Sequence, residues 1–494
     1  MNSPQSQSQS QSPIAVVAGK RKVHIETWGC QMNVADSERM LAILEANNYE
    51  LTVAGAEAAD LVLLNTCHIR ENARHKVLSR LGVLNQLKVS NPNLKIAVTG
   101  CVAQADGKKL IELAPQIDVL IGPGKLDELP RLLQENRETG KSTLAIGFDR
   151  HIEAEGGLTE QSTDRKRPSV QGENPPLHIP SISGRPEVTR FVNIIQGCNN
   201  FCTFCVVPFT RGREISRRKE EIIREVEYMV KTGAREITLL GQNVNSYGLD
   251  LLGIDEVPDD GGPFVDLLRS VAMVEGVERV RFTTSNPHDF TQPLAQLFAE
   301  QPKLGRHIHL PVQAGSDRTL DRMKRKVTVE TYLQRVQWLR EAVPGIAIST
   351  DLIVGFPGET DEEFEDTLRL IEKVRYSFVY AFVYSPRKGT AAARFSEQVP
   401  EAVKVQRLAR LNAAQDKITM DWVNADIATK QDVLFIYESR KYPGLWVGKT
   451  MEFRTVRVQS SQNLLGRTLP VNITAGNKIA LLGDLHHSLA SEAH

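Results

Sequence analysis

The sequence predicts an α/β protein in three folded parts: an open parallel α/β domain, a second series of βα units and a small all-β segment. Three observations predict it. Short apolar runs alternate with amphipathic stretches from residue 22 onward. A polar stretch rich in Pro, Gly and Ser interrupts that alternation over residues 149–186. After residue 423 the pattern changes to short β-type runs separated by Gly, Asn and Ser.

Residues 1–20 open with a Gln-Ser repeat that cannot bury apolar surface, and a disordered tail is expected there. Residues 23–27 read as a strand. The spacing of Met40, Leu41 and Leu44 predicts a helix over 37–47. The Leu-Val-Leu-Leu run at 61–64 is apolar at every position, as a parallel strand covered on both faces must be. Residues 72–87 form a second helical pattern, 95–98 and 119–121 further strands, and 126–136 a closing helix. These elements make an N-terminal α/β domain over 21–148, with 149–186 as its linker to the rest.

The next strand candidates lie at 190–195, 236–240, 280–284, 307–312, 347–354 and 378–384, with helical segments between them. Such units over residues 187–420 suit a partial (β/α)6 barrel of TIM type better than a doubly wound sheet, and the pattern does not decide between them. Residues 401–423 read as one long helix. The β-type runs at 432–437, 450–458, 466–471 and 478–482 predict a small β-barrel over 421–488.

Among the 494 residues, 60 Lys and Arg balance 60 Asp and Glu. Bulk charge gives no pull toward nucleic acid, so any such binding must be local. The longest apolar runs fall far short of the ~20 residues that span a bilayer. No charged-then-apolar leader pattern opens the chain, and a cytoplasmic protein is expected.

The six cysteines are Cys30, Cys67, Cys101, Cys198, Cys202 and Cys205. Disulfide frameworks belong to small secreted domains. Cysteines kept reduced serve as packing residues, nucleophiles or metal ligands. In Cys198-x3-Cys202-x2-Cys205, three thiolates can converge on one face of a cluster. Zinc sites are commonly completed by paired half-sites, but here no fourth Cys follows and the nearest downstream histidine is His288. Three ligands on a four-iron cluster leave one iron open. The loop follows the first strand of the second series, and barrel active sites assemble at strand ends. The other three cysteines each follow a strand of the first domain. The carboxyl ends of parallel strands form a ligand crevice, so these thiols meet if their strands are neighbours. Sequence order leaves three unrelated buried cysteines as the alternative.

The cysteine spacing, the stretch Thr27-Trp-Gly-Cys-Gln-Met-Asn33, residues 197–212 and Gly241-Gln-Asn-Val-Asn245 resemble the methylthiotransferase family of radical S-adenosylmethionine (SAM) enzymes. The resemblance runs from about residue 23 to 485 and is nearest to the branch that acts on isopentenylated tRNA. It implies a radical-SAM partial barrel in the centre and a TRAM β-barrel at the end. It implies two 4Fe-4S clusters, one on Cys198, Cys202 and Cys205 with SAM on its open iron. The other, on Cys30, Cys67 and Cys101, is the sulfur source. The implied reaction is methylthiolation of carbon 2 of N6-isopentenyladenosine at tRNA position 37. The implied partners are the tRNA anticodon arm and an electron donor such as flavodoxin or ferredoxin, with no membrane and a monomeric chain. The alternatives are another adenosine derivative, a ribosomal-protein side chain, or a non-catalytic metal- and RNA-binding protein. Residues 206–212 and 241–245 argue against the first two.

Further site residues are read from their place at strand ends. Gln242 and Asn243 follow the second barrel strand, Gln313 ends the fourth and Asp351 lies near the end of the fifth. Gly355 and Gly358 come next. All six are expected to contact SAM, the glycines by close backbone approach to adenine. Arg211, Arg213, Arg217 and Arg218, with Lys219, form a basic stretch expected to bind phosphates. The β segment adds Arg440, Lys441, Lys449, Arg454, Arg457 and Arg467. Tyr437, Tyr442, Trp446 and Phe453 stand there as stacking groups or barrel core. His307 and His309 alternate on one strand and are assigned to no metal.

Overall fold

The apolar run at 61–64 sits at the centre of a sheet covered on both faces. The computed structural model describes residues 19–67, 72–148, 180–183 and 187–486. The Gln-Ser repeat and most of the expected linker lie outside the described residues. The first sheet holds β1 (Arg21–Trp28), β2 (Tyr49–Leu51), β3 (Leu61–Thr66), β4 (Lys95–Gly100), β5 (Val119–Ile121) and β6 (Thr143–Ala145). All are parallel, in the order β2-β1-β3-β4-β5-β6. Leu61 and Leu63 pack in one core while Val62 and Leu64 pack in another, the period-2 alternation of a doubly covered strand. The edge strands β2 and β6 were not foreseen, because each is three residues long and, unlike β5, carries a polar residue that breaks the apolar run. Helices α1 (Gln31–Glu45), α2 (Asn72–Ser90) and α3 (Cys101–Asp106) follow β1, β3 and β4. Helix α1 starts at Gln31 rather than 37, because its first turns bury polar Asn33, Asp36, Ser37 and Glu38.

The second series is a partial (β/α)6 barrel, not a doubly wound sheet. Its strands are β7 (Thr189–Asn193), β10 (Glu236–Leu240), β11 (Arg279–Phe282), β12 (His307–His309), β13 (Ala347–Val354) and β14 (Phe378–Val383). They run parallel as β7-β10-β11 and β12-β13-β14, with a bridge between Val280 and Leu304 at the join. Strand order never reverses, which is the barrel's signature. Two short strands, β8 (Ile195–Gln196) and β9 (Ile215–Ser216), pair antiparallel and bracket the loop of Cys198, Cys202 and Cys205. His307 and His309 both hydrogen-bond Ser349 Oγ, at 2.9 and 3.0 Å.

One helix, Glu401–Asp426, runs unbroken across residue 421 and leads into the last domain. There β15 (Lys430–Glu438), β16 (Leu445–Lys449), β17 (Thr455–Gln459), β18 (Thr468–Gly476) and β19 (Leu481–Leu485) close a barrel in the order β15-β16-β17-β19-β18. Its core includes Val433, Phe435, Trp446, Val456 and Ile473. The turn between β16 and β17 docks on the central barrel. Arg279 donates to the carbonyls of Lys449 and Thr450, and Arg281 to those of Thr450 and Met451, at 2.8–3.2 Å. Phe453 stacks on His307 with ring centroids 5.1 Å apart. Arg454 pairs with Asp426 at 3.3 Å. The Lys449 carbonyl and the Phe453 ring thus join the two barrels, while Arg454 is held by Asp426 at the end of the connecting helix.

Candidate active site: two cysteine triads on one cavity

Strands β1, β3 and β4 are neighbours in the sheet, so Cys30, Cys67 and Cys101 stand side by side at their carboxyl ends. Two glycines permit the approach. A Cβ on Gly29 would lie 2.7 Å from Cys67 Cβ, and one on Gly100 would lie 2.2 Å from the Thr66 carbonyl oxygen. Gly100 also has φ +90°, which disfavours other residues. A polar layer supports the thiols from below. Asn33 Oδ1 accepts from the Cys30 N–H and Sγ, both at 3.3 Å, and Asn33 Nδ2 donates to Asn65 Oδ1 at 2.9 Å. Asn65 Nδ2 in turn donates to the Asn33 carbonyl and to Ser37 Oγ. Such a bonded layer fixes the rotamers of the residues above it. The Cys30 thiol is pulled down to about 6, chiefly by the hydrogen bond from Cys67, against its burial and with help from Arg211.

Helix α1 carries this crevice to the barrel. Met32 and Ala35 pack with Leu240 at the end of β10. Glu38 pairs with Arg190 at 3.2 Å, and Asp36 with Arg211 at 2.8 Å; all four are buried. Asn193 Nδ2 donates to Asp36 Oδ1 at 3.1 Å.

The second triad lies on the loop between β8 and β9. Cys198 N–H donates to the Gly212 carbonyl and Cys205 N–H to the Cys202 carbonyl. Thr203 anchors the loop through its N–H to Met323 and its hydroxyl to Arg322. Each sulfur accepts a hydrogen bond: from Asn200 Nδ2 at 3.6 Å to Cys198, from Arg325 at 3.5 Å to Cys202 and from the Val207 N–H at 3.5 Å to Cys205. Burial pushes the Cys198 thiol up to about 11 and the Cys205 thiol up to about 12. These thiols stay protonated until a metal takes them.

Both triads line one cavity of about 430 Å³, with Gln242, Asn243, Gln313 and Asp351. No two of the six cysteines are joined in a disulfide. Among the described residues, no three His, Cys, Asp or Glu side chains are placed to share one metal ion. A multi-iron cluster suits such a donor set, because each of its irons takes a single thiolate. The cavity wall also holds buried polar atoms with no hydrogen-bond partner among the described residues, Ser285 Oγ and Tyr384 Oη. Polar wall residues whose own groups are left unpartnered fit a polar ligand such as SAM. Gln313 and Thr284, both lining residues, hold φ of +85° and +71°, strain of the kind that gathers at functional sites.

The structure sorts the expected SAM contacts. The Gln242 amide joins the cluster loop to α1, accepting from the Gly197 N–H and donating to the Met32 sulfur. Asn243 donates to Asp289 at 2.6 Å and accepts from the Asn286 N–H. Gly355 and Gly358 do not line the cavity. A Cβ on the first would strike the Lys404 side chain and one on the second Arg322, so these glycines serve packing. Two of the four expected phosphate contacts are buried. Arg211 is 4% exposed and Arg217 7%, the latter paired with Glu225 at 2.6 Å, whereas Arg213 and Arg218 are exposed. A basic run in sequence does not share one face when a turn and a two-residue strand intervene. Arg325, Ser285 and Tyr384 were missed, because each reaches the site from a distant segment with no motif of its own.

The chain matches the Radical SAM superfamily over residues 192–371 and the Uncharacterized protein family UPF0004 over residues 22–122. A tRNA-2-methylthio-N(6)-dimethylallyladenosine synthase of Moorella thermoacetica is 42% identical over 95% of this chain and 99% of its own length. The protein of that name from Desulfotalea psychrophila is 47% identical over 84% of this chain and 88% of its own. Among solved structures, the radical S-adenosylmethionine methyltransferase TsrM of Kitasatospora setae, with cobalamin and a 4Fe-4S cluster bound, is 16% identical. It covers 76% of this chain and 74% of its own with a TM-score of 0.53, a likeness of fold.

Proposed function

The chain belongs to the tRNA-2-methylthio-N(6)-dimethylallyladenosine synthase family, and from that premise we propose that it methylthiolates carbon 2 of N6-isopentenyladenosine at tRNA position 37. The observation that carries this reading is the meeting of both cysteine triads on one cavity. We assign Cys198, Cys202 and Cys205 to the cluster that binds SAM, and Cys30, Cys67 and Cys101 to the auxiliary cluster. When bound, the two 4Fe-4S clusters and SAM supply the electron, the 5′-deoxyadenosyl radical and the sulfur of the reaction.

The chain's own residues do the rest. Arg325 and the Val207 N–H donate to the Cys202 and Cys205 sulfurs, which draws charge from those ligands and tunes the potential. Gln313, Asp351, Ser285 and Tyr384 offer polar groups to SAM around the cavity wall. Phe204, Leu240 and Ile353 belong to its apolar lining and keep water from a reactive intermediate. A reductant of the flavodoxin or ferredoxin type delivers the electron to a monomeric cytoplasmic enzyme. Among the described residues no helix is long and apolar enough to cross a membrane.

Reconstituted enzyme given SAM, dithionite and isopentenylated tRNA should yield the 2-methylthio nucleoside by mass spectrometry of the digested tRNA. No product from enzyme carrying both clusters would overturn the reading.

The tRNA contact falls to the exposed cations: Arg213 and Arg218 beside the cluster loop, and Arg440, Lys441 and Arg467 near exposed Tyr437 and Tyr442 on the last barrel. Arg213→Ala should weaken tRNA binding evenly and reduce the slope of log affinity against log salt by about 1. Arg217→Ala strands the half-buried Glu225 carboxylate and the Asn193 carbonyl, and should cost roughly 1–3 kcal/mol of stability instead. Fluorescence anisotropy over a salt series, beside thermal melts, separates the two. An unchanged slope in Arg213→Ala would remove that residue from the RNA face.

A further inference from the structure

Arg211 is a buried cation whose hydrogen bonds are incomplete. It ends the short helix Val207–Arg211, which packs against α3, the helix that opens with Cys101. Its guanidinium is oriented by the Asp36 carboxylate at 2.8 Å. Beyond that ion pair, neither terminal nitrogen has a hydrogen-bond acceptor among the described residues. A guanidinium carries five N–H donors and a permanent charge, and burying such donors unpaired is costly. The nitrogen outside the ion pair calls for an acceptor, and a permanent cation favours an anionic one. The surroundings say where it belongs. Arg211 lines the cavity beside Cys30, Cys67 and Cys101, and its charge acts on Cys30 and Cys101.

We propose that Arg211 is a positioning residue for sulfur delivery: its guanidinium, held by Asp36, grips the anionic sulfur carried by the group on Cys30, Cys67 and Cys101. This rests on the assignment of that triad to the auxiliary cluster. A planar fork offers paired donors that no lysine supplies. The same charge offsets the negative charge of three thiolates and raises the group's reduction potential.

The test uses the full chain with Cys198, Cys202 and Cys205 all changed to alanine, so that every iron signal comes from the other triad. The proteins compared are this parent and its Arg211→Lys, Arg211→Met and Asp36→Asn/Arg211→Met derivatives, the last leaving no unpaired buried carboxylate. Each is reconstituted anaerobically, assayed for iron, and titrated with sodium sulfide and with reductant under electron paramagnetic resonance. We expect iron to be retained, hydrosulfide binding to weaken about tenfold or more without the guanidinium, and the midpoint potential to fall. Arg211→Lys should lie between. Unchanged hydrosulfide affinity and potential in iron-bearing variants would overturn the proposal. So would loss of iron from every variant, lysine included, since that marks a purely structural residue. A parent that binds no iron would instead overturn the cluster assignment itself.

Discussion

Alanine in place of Cys198 should abolish reductive cleavage of SAM, and with it all product, whereas Cys67→Ala should keep some cleavage and lose only sulfur insertion. The two effects separate because the triads belong to different parts of the fold. Cys198 sits on a barrel loop pinned by Thr203, Gly212 and Arg322. Cys67 follows the strand β3 of the N-terminal sheet. Removing one thiol leaves the other scaffold untouched. Loss of a direct ligand should exceed the roughly 10–100-fold effect of losing an outer-shell partner. Chromatography of 5′-deoxyadenosine reports cleavage, and nucleoside mass spectrometry reports insertion. Full methylthiolation by both variants would refute the assignment of two ligand sets.

What could be read in the sequence was what depends on short-range pattern. The x3 and x2 spacing marks one triad outright, because three thiols within eight residues must be near each other. The second triad was legible only as three similar strand ends; the order β1-β3-β4 is what makes them neighbours, and pairing order is a property of the fold. The six strands of the central barrel were visible because β-type runs and helical patterns alternate along that part of the chain. The fate of individual cations was not visible. Arg211 and Arg213 are two residues apart, yet one is buried beside Asp36 and the other faces solvent, because the helix ends between them at Gly212. Likewise Lys449 read as part of a basic face and Phe453 as a stacking group or barrel core, while Arg279 and Arg281, some 170 residues earlier, draw their turn onto the central barrel.

Gly100→Ala and Gly197→Ala should each destabilise the fold and strip iron from one triad only. At Gly100 a Cβ would stand 2.2 Å from the Thr66 carbonyl oxygen, and at Gly197 it would stand 2.0 Å from that of Arg213. Both contacts are with backbone, so no side chain can rotate away. Both glycines also have positive φ, +90° and +83°. Strain of this kind costs about 1–3 kcal/mol, and the clash adds to it, so a loss of roughly 2–4 kcal/mol is expected for each. The functional consequence differs by place. Gly100 sits in the crevice where β3 and β4 deliver Cys67 and Cys101, so its variant should lose the auxiliary iron. Gly197 precedes Cys198 and its N–H is held by Gln242, so its variant should lose the SAM-binding iron and SAM cleavage. Gly140→Ala provides the control. That glycine has φ +67° with nothing within 4 Å of its Cβ, at the end of the helix Leu129–Thr139. It should cost only about 1–2 kcal/mol of backbone strain and keep all iron. Iron assays beside thermal melts decide the matter. If Gly100→Ala melted lower yet kept its full iron, the close approach of β3 to β4 would matter for stability alone.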